Sequence, residues 1–185
     1  MTSQQQQNNN NPIEIIICDT NVVVLMTLFK PSVMFAAQYS FGKIKVHQCV
    51  IEQLQGWLDR NNQKVKKFTA PIIQDALRLA KTVSQNIKEP TDDQFKRSAR
   101  YIAGKENSLN PEEKGMATDK VDQLLLILAY VNKAYLATQE RTMTSVAKKT
   151  LPAGRVIRFE DLVLDLISIG QLCQRRKTRV LGKPN

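Results

Sequence analysis

Two kinds of apolar pattern alternate along this chain. The first is short, nearly continuous and β-branched: Ile13-Glu14-Ile15-Ile16-Ile17-Cys18 has almost no polar interruption. Such a run predicts a strand buried on both faces, the kind found in parallel sheets. It stops at Asp19-Thr20-Asn21, and a second apolar run from Asn21 to Phe29 predicts a helix ended by Pro31. Another helical stretch covers Val33 to Tyr39 and reaches a turn at Phe41-Gly42. Ile44-Lys45-Val46-His47 alternates and predicts a short strand. From Cys49 to Asp59 the apolar residues Val50, Ile51, Leu54, Trp57 and Leu58 share one side of a helix.

The second half repeats the alternation. Pro71 stands at a helix start, and Ile72, Ile73, Ala76, Leu77, Leu79 and Ala80 keep the helical period. Pro90-Thr91-Asp92-Asp93 breaks this stretch and caps another helix, Gln94 to Ala103, followed by a polar loop from Gly104 to Gly115. Thr118 to Asn132 is apolar nearly all round, which predicts a buried helix. Ala134 to Thr138 predicts a strand, Gln139 to Lys149 a turn and helix, Arg155 to Phe159 a strand, and Glu160 to Cys173 a final amphipathic helix. Strands separated by helices imply crossover units, hence an α/β fold of three layers, α/β/α, around a mostly parallel sheet.

Composition narrows this picture. Residues 1–12 are a Gln/Asn-rich segment that cannot bury a core, so the folded domain is expected over 13–173, with a basic tail over 174–185. No apolar run approaches the roughly 20 residues that span a bilayer, and the start does not read as a signal peptide. Three cysteines, Cys18, Cys49 and Cys173, without CxxC spacing argue against a disulfide framework or structural zinc and for a reducing, cytoplasmic setting. A formal net charge of +10 favours RNA or an acidic protein as partner over a small acidic metabolite. Lys148, Lys149, Arg175, Arg176, Lys177 and Arg179 are the candidate nucleic-acid contacts.

Acidic residues then stand out against apolar elements. Asp19 ends the first strand, Glu52 lies near the start of the helix after the second, and Asp119 and Asp122 open the buried helix with a spacing that puts them on one face. Glu140 follows the strand Ala134 to Thr138. Ligands of open α/β sheets bind outside the carboxyl ends of the strands, where Asp19 and Glu140 fall. Carboxylates that converge repel one another unless a cation lies between them, and an oxygen-only set suits Mg²⁺ or Mn²⁺. Such ions activate water for attack on a phosphodiester without a nucleophilic side chain. With His47 the single histidine, a histidine-based mechanism has little support. The competing reading is structural: Asp19 as a helix cap, Asp119 as a favourable charge near a helix start, Glu52 as a solvated surface residue, and Glu140 as an ordinary turn residue.

Four segments, Ile15 to Asn21, Val50 to Leu54, Thr118 to Asp122 and Tyr135 to Arg141, together resemble, in order, the motifs of the PIN-domain nucleases. The resemblance implies Asp19, Glu52 and Asp122 as metal ligands and catalytic residues. Asp119 is an additional acid, and Glu140 stands where the family usually has aspartate. It further implies Thr20, Asn21 and Thr138 as groups orienting the ligands or water. The activity implied is a Mg²⁺- or Mn²⁺-dependent nuclease, an endoribonuclease, either the toxin of a toxin–antitoxin pair held by a protein antitoxin or an RNA-processing enzyme acting alone or as a homodimer. The alternative is a non-catalytic RNA-binding or assembly module that keeps the fold and cuts nothing.

Overall fold

The computed structural model describes residues 15–28, 44–59, 68–83, 87–108 and 120–164. Its elements follow the predicted alternation: β1 (Ile16–Cys18), α1 (Thr20–Leu28), β2 (Ile44–Lys45), α2 (Gln48–Asp59), α3 (Ala70–Val83), α4 (Asp92–Asn107), α5 (Lys120–Val131), β3 (Tyr135–Ala137), α6 (Arg141–Thr150) and β4 (Val156–Ile157). Residues 159–164 are again helical. The expected helix Val33 to Tyr39, Asp119, and the basic residues Arg175, Arg176, Lys177 and Arg179 lie outside the described residues.

The four strands form one all-parallel sheet in the order β2-β1-β3-β4. Register pairs Ile16 with Ile44 on one side of β1, and Ile16, Ile17 and Cys18 with Tyr135, Leu136 and Ala137 on the other. Helices α1, α2 and α3 pack among themselves, as do α4, α5 and α6. This grouping agrees with three layers around a buried sheet. The core runs through both central strands, where Ile17, Cys18, Leu136 and Ala137 are fully buried.

Helix α5 behaves as its all-round apolar sequence requires: Leu125, Leu126, Ile127, Leu128 and Ala129 are all fully buried, and the helix packs on β1 and β3. It closes with Lys133 in the left-handed region (φ 51°), while Ala134 N–H reaches back to Ala129 O at 2.9 Å and Lys133 N–H to Tyr130 O at 3.3 Å. That is the Schellman arrangement, which satisfies the last carbonyls.

Phe159, expected to end a strand, instead opens the helix of residues 159–164, and the end of α4 also differs from expectation. Helix α4 starts at Asp92 behind Thr91, whose hydroxyl accepts from Gln94 N–H while the Gln94 side chain accepts from Thr91 N–H, a complete capping box. It then continues through Gly104 to Asn107, beyond the expected stop at Ala103. Ile102 and Glu106, one turn apart, are both buried, and this inward face carries the helix past a glycine that costs only about 1 kcal/mol.

No described helix is long and apolar enough to cross a membrane.

Candidate functional site

The strand order creates a single switch point. From β1 the chain crosses to β2 on one flank, and from β3 to β4 on the other, so the connections diverge above the carboxyl ends of β1 and β3. A crevice at such a point is where open α/β sheets bind ligands. Because Cys18 and Ala137 are register partners and the last residues of their strands, the next residues up, Asp19 and Thr138, face each other across it.

They are joined there. Thr138 Oγ1 donates to Asp19 Oδ2 at 3.0 Å, and Asp19 N–H donates to Ala137 O at 2.9 Å. Both residues are buried, Asp19 with 2% of its surface exposed and Thr138 with none. The Thr138 oxygen also accepts from Glu140 N–H at 3.1 Å. A hydroxyl that accepts on one side must aim its proton at the other, which sets its direction toward Asp19.

Burial is the largest influence on Asp19 and raises its pKa to about 6. The nearby Glu140 charge pushes the same way, while Thr138 and the backbone N–H groups of Thr20 and Asn21 oppose it by holding the ionised form. Asp19 therefore also takes hydrogen bonds from the first backbone N–H groups of α1. The cap alone does not account for the crosslink to Thr138, which lies 119 residues away.

Glu140 has two roles as well. Its side chain caps α6, with Oε2 accepting from Met143 N–H, and its charge reaches Asp19. Thr20 is buried, and its hydroxyl donates to Gln53 Oε1 on α2. Gln53, which no sequence motif singled out, thus ties α2 to the start of α1 beside Asp19. Asn21 is half-buried, and Asp122 is half-buried in the first turn of α5.

Glu52 is placed differently. It is exposed on α2 and takes a hydrogen bond from Gln48 Nε2 at 3.3 Å, one turn back on the same helix. Successive helical residues are turned by about 100°, so the neighbour of a buried-side glutamine need not share its direction. Lys148 and Lys149 are exposed in the last turn of α6, and Lys149 Nζ donates to Ser108 O at 3.1 Å. Helix α6 starts beside the crevice and runs away from it for roughly 15 Å, so this basic pair stands at the opposite end of the sheet.

Among the described residues, no three His, Cys, Asp or Glu side chains are grouped closely enough to hold a metal ion by themselves. Asp19 and Glu140 are carboxylates within electrostatic reach of each other, and Mg²⁺ is commonly held by one or two carboxylates with waters and substrate phosphates completing its shell. The donors present fit that mode. Covalent chemistry at sulfur is disfavoured here. Burial pushes the Cys18 and Cys49 thiols up to about 12, with Asp19 adding to the effect at Cys18 and Glu52 at Cys49. The chain matches no protein-family model, no curated protein and no solved structure.

Proposed function

We propose that this protein is a divalent-metal-dependent nuclease of PIN-like type that cuts RNA internally. The observation that carries the reading is the buried Asp19–Thr138 pair at the switch point of a parallel sheet, with Glu140 close enough to perturb it. A desolvated carboxylate beside a second carboxylate costs stability near neutral pH, and function is a common reason for tolerating such a cost. Asp19 and Glu140 would hold Mg²⁺ or Mn²⁺, with Asp122 from the first turn of α5 as a further ligand and Asp119 as an additional acid. When bound, the cation would lower the pKa of a water and neutralise charge on the departing oxygen.

The chain's own groups do the positioning. Thr138 fixes Asp19 Oδ2, Met143 N–H fixes Glu140 Oε2, and Gln53 fixes the Thr20 hydroxyl, so the polar groups beyond the carboxyl ends of β1 and β3 are held in place. The net charge of +10 draws a polyanionic strand toward the molecule. An antitoxin partner, a homodimer and a cytoplasmic setting belong to the same proposal.

A second reading is favoured by the exposure of Glu52 and the capping role of Glu140: a PIN-like module that binds RNA without cutting it. Both are tested on labelled single-stranded RNA with Mn²⁺, Mg²⁺ or chelator, comparing wild type with Asp19→Asn and Asp122→Asn. Cleavage by wild type alone, abolished by chelator, supports the nuclease. Intact RNA in every lane, bound equally and salt-sensitively by all three proteins, supports the module.

A further inference from the structure

A concavity lies at the opposite end of the sheet from Asp19. It is an open cleft of about 530 Å³, built from the first turns of α4, the end of α5 with the turn into β3, and the connection between α6 and β4. That volume is in the range of small-molecule sites. Arg97, Lys133 and Arg155 contribute three cations, and no carboxylate side chain lines the cleft or forms a salt bridge with any of them among the described residues.

Basic residues on a helical surface are ordinarily just solvated, and three cations alone would prove nothing. Two further features separate this cleft from such a surface. Ser98 is 5% exposed and lines the cleft, so a nearly buried residue places a hydroxyl on its wall. The second feature is the order of Arg155. Its Nη1 donates to Lys133 O, and its guanidinium lies over the Tyr135 ring, 5.1 Å from the centroid. A guanidinium held in place loses little freedom on binding and presents its remaining N–H groups to a phosphate as a planar fork.

The wall opposite is aromatic. Tyr130 lines the cleft with 40% of its surface exposed, and its ring packs against Tyr101 at 5.5 Å between centroids, tilted by 31°. An exposed tyrosine face beside a cluster of cations is the pairing that holds a base next to its phosphate. Gln94, half-buried in the lining with its oxygen held by Thr91 N–H, adds an amide NH₂ able to donate at a base edge.

We propose that this cleft binds a nucleoside phosphate, with the phosphate on Arg97, Arg155 and Ser98 and the base against Tyr130. The ligand is either a free mononucleotide or the 5′-phosphorylated end of an RNA strand. The site stands at the amino ends of β3 and β4, away from Asp19, and does not depend on the nuclease reading.

The test titrates full-length protein with adenosine 5′-monophosphate, adenosine and inorganic phosphate by calorimetry. In parallel, a 3′-labelled oligoribonucleotide is titrated by anisotropy with and without a 5′-phosphate. Wild type is compared with Arg97→Glu, Ser98→Ala and Asp19→Asn. Arg97 is exposed, so its replacement leaves the core intact, and circular dichroism confirms folding. Adenosine 5′-monophosphate should bind at least tenfold more tightly than adenosine, Arg97→Glu should abolish that preference, Ser98→Ala should weaken it, and Asp19→Asn should leave it unchanged. A preference of at least tenfold for phosphorylated over unphosphorylated RNA ends, lost in Arg97→Glu, identifies the strand end as the source. Mononucleotide binding without an end preference identifies the free nucleotide. The proposal is overturned if neither phosphorylated probe is preferred, or if Arg97→Glu keeps the preference.

Discussion

Replacing Asp19 by asparagine separates a chemical site from a helix cap, because the two roles predict different dependence on pH. In the folded protein the Asp19 carboxyl titrates near 6, against 3.8 for the ordinary group. The unfolded chain therefore releases this proton more readily than the folded one. The stability Asp19 contributes is fully present below pH 3.8, declines as pH rises, and is lost above about pH 6. About two pKa units correspond to about 3 kcal/mol, and at 2% exposure solvent screening takes little from that figure. Asparagine is nearly isosteric, keeps one acceptor oxygen for these donors and never ionises. Asp19→Asn should therefore match wild type within about 1 kcal/mol at pH 4 and exceed it by up to about 3 kcal/mol at pH 7.5. In a chain of 185 residues this is a rise in Tm of roughly 5–10 °C. Urea unfolding followed by circular dichroism in chelator, at both pH values, measures the difference, and all other titrating groups cancel between the two proteins. Adding Mn²⁺ at pH 7.5 should then stabilise wild type, by about 3 kcal/mol at a hundred times Kd, and leave Asp19→Asn unmoved. A variant that is less stable than wild type at pH 7.5, or a difference that does not change with pH, would refute the reasoning and leave Asp19 as a cap whose charge favours the helix.

Three other outcomes follow from the same structure. Thr138→Val removes the hydroxyl that favours the ionised carboxylate, so the Asp19 pKa should rise above its value of about 6, visible in a carbon-detected carboxyl titration; an unchanged midpoint would show that the contact is not formed in solution. Thr91→Ala removes the capping box of α4 and should cost about 1 kcal/mol, whereas Leu126→Ala in the buried face of α5 should cost about 3–4 kcal/mol, both read from urea midpoints. Cys18, fully buried with its thiol pushed up to about 12, should resist alkylation at pH 8 in native protein and react readily in urea, as mass spectrometry would show.

Much of the fold is legible from the order of residues because its causes are local. A β-branched run without polar interruption has no soluble solution except a doubly covered strand, and β1 lies within it. The apolar circumference of α5 dictates burial, and Thr91 with Gln94 dictates the start of α4 through contacts only three residues apart. The placement of Asp19 and Glu140 just past strand ends is local in the same sense.

What tertiary structure decided is everything that depends on which strand lies beside which. No local pattern says that β3 takes the free side of β1, opposite β2, so that Cys18 meets Ala137, yet that register alone brings Thr138 to Asp19. Nor does it say which of Glu52 and Gln53 turns toward α1: a helix rotates each residue by about 100°, and the docking of α2 leaves Glu52 in solvent and sets Gln53 on Thr20. The basic cleft is likewise the work of three segments far apart in the chain, holding Arg97, Lys133 and Arg155. Periodicity records which residues must leave water; the partner each one meets is set by packing, where long-range contacts choose among faces that local sequence leaves equivalent.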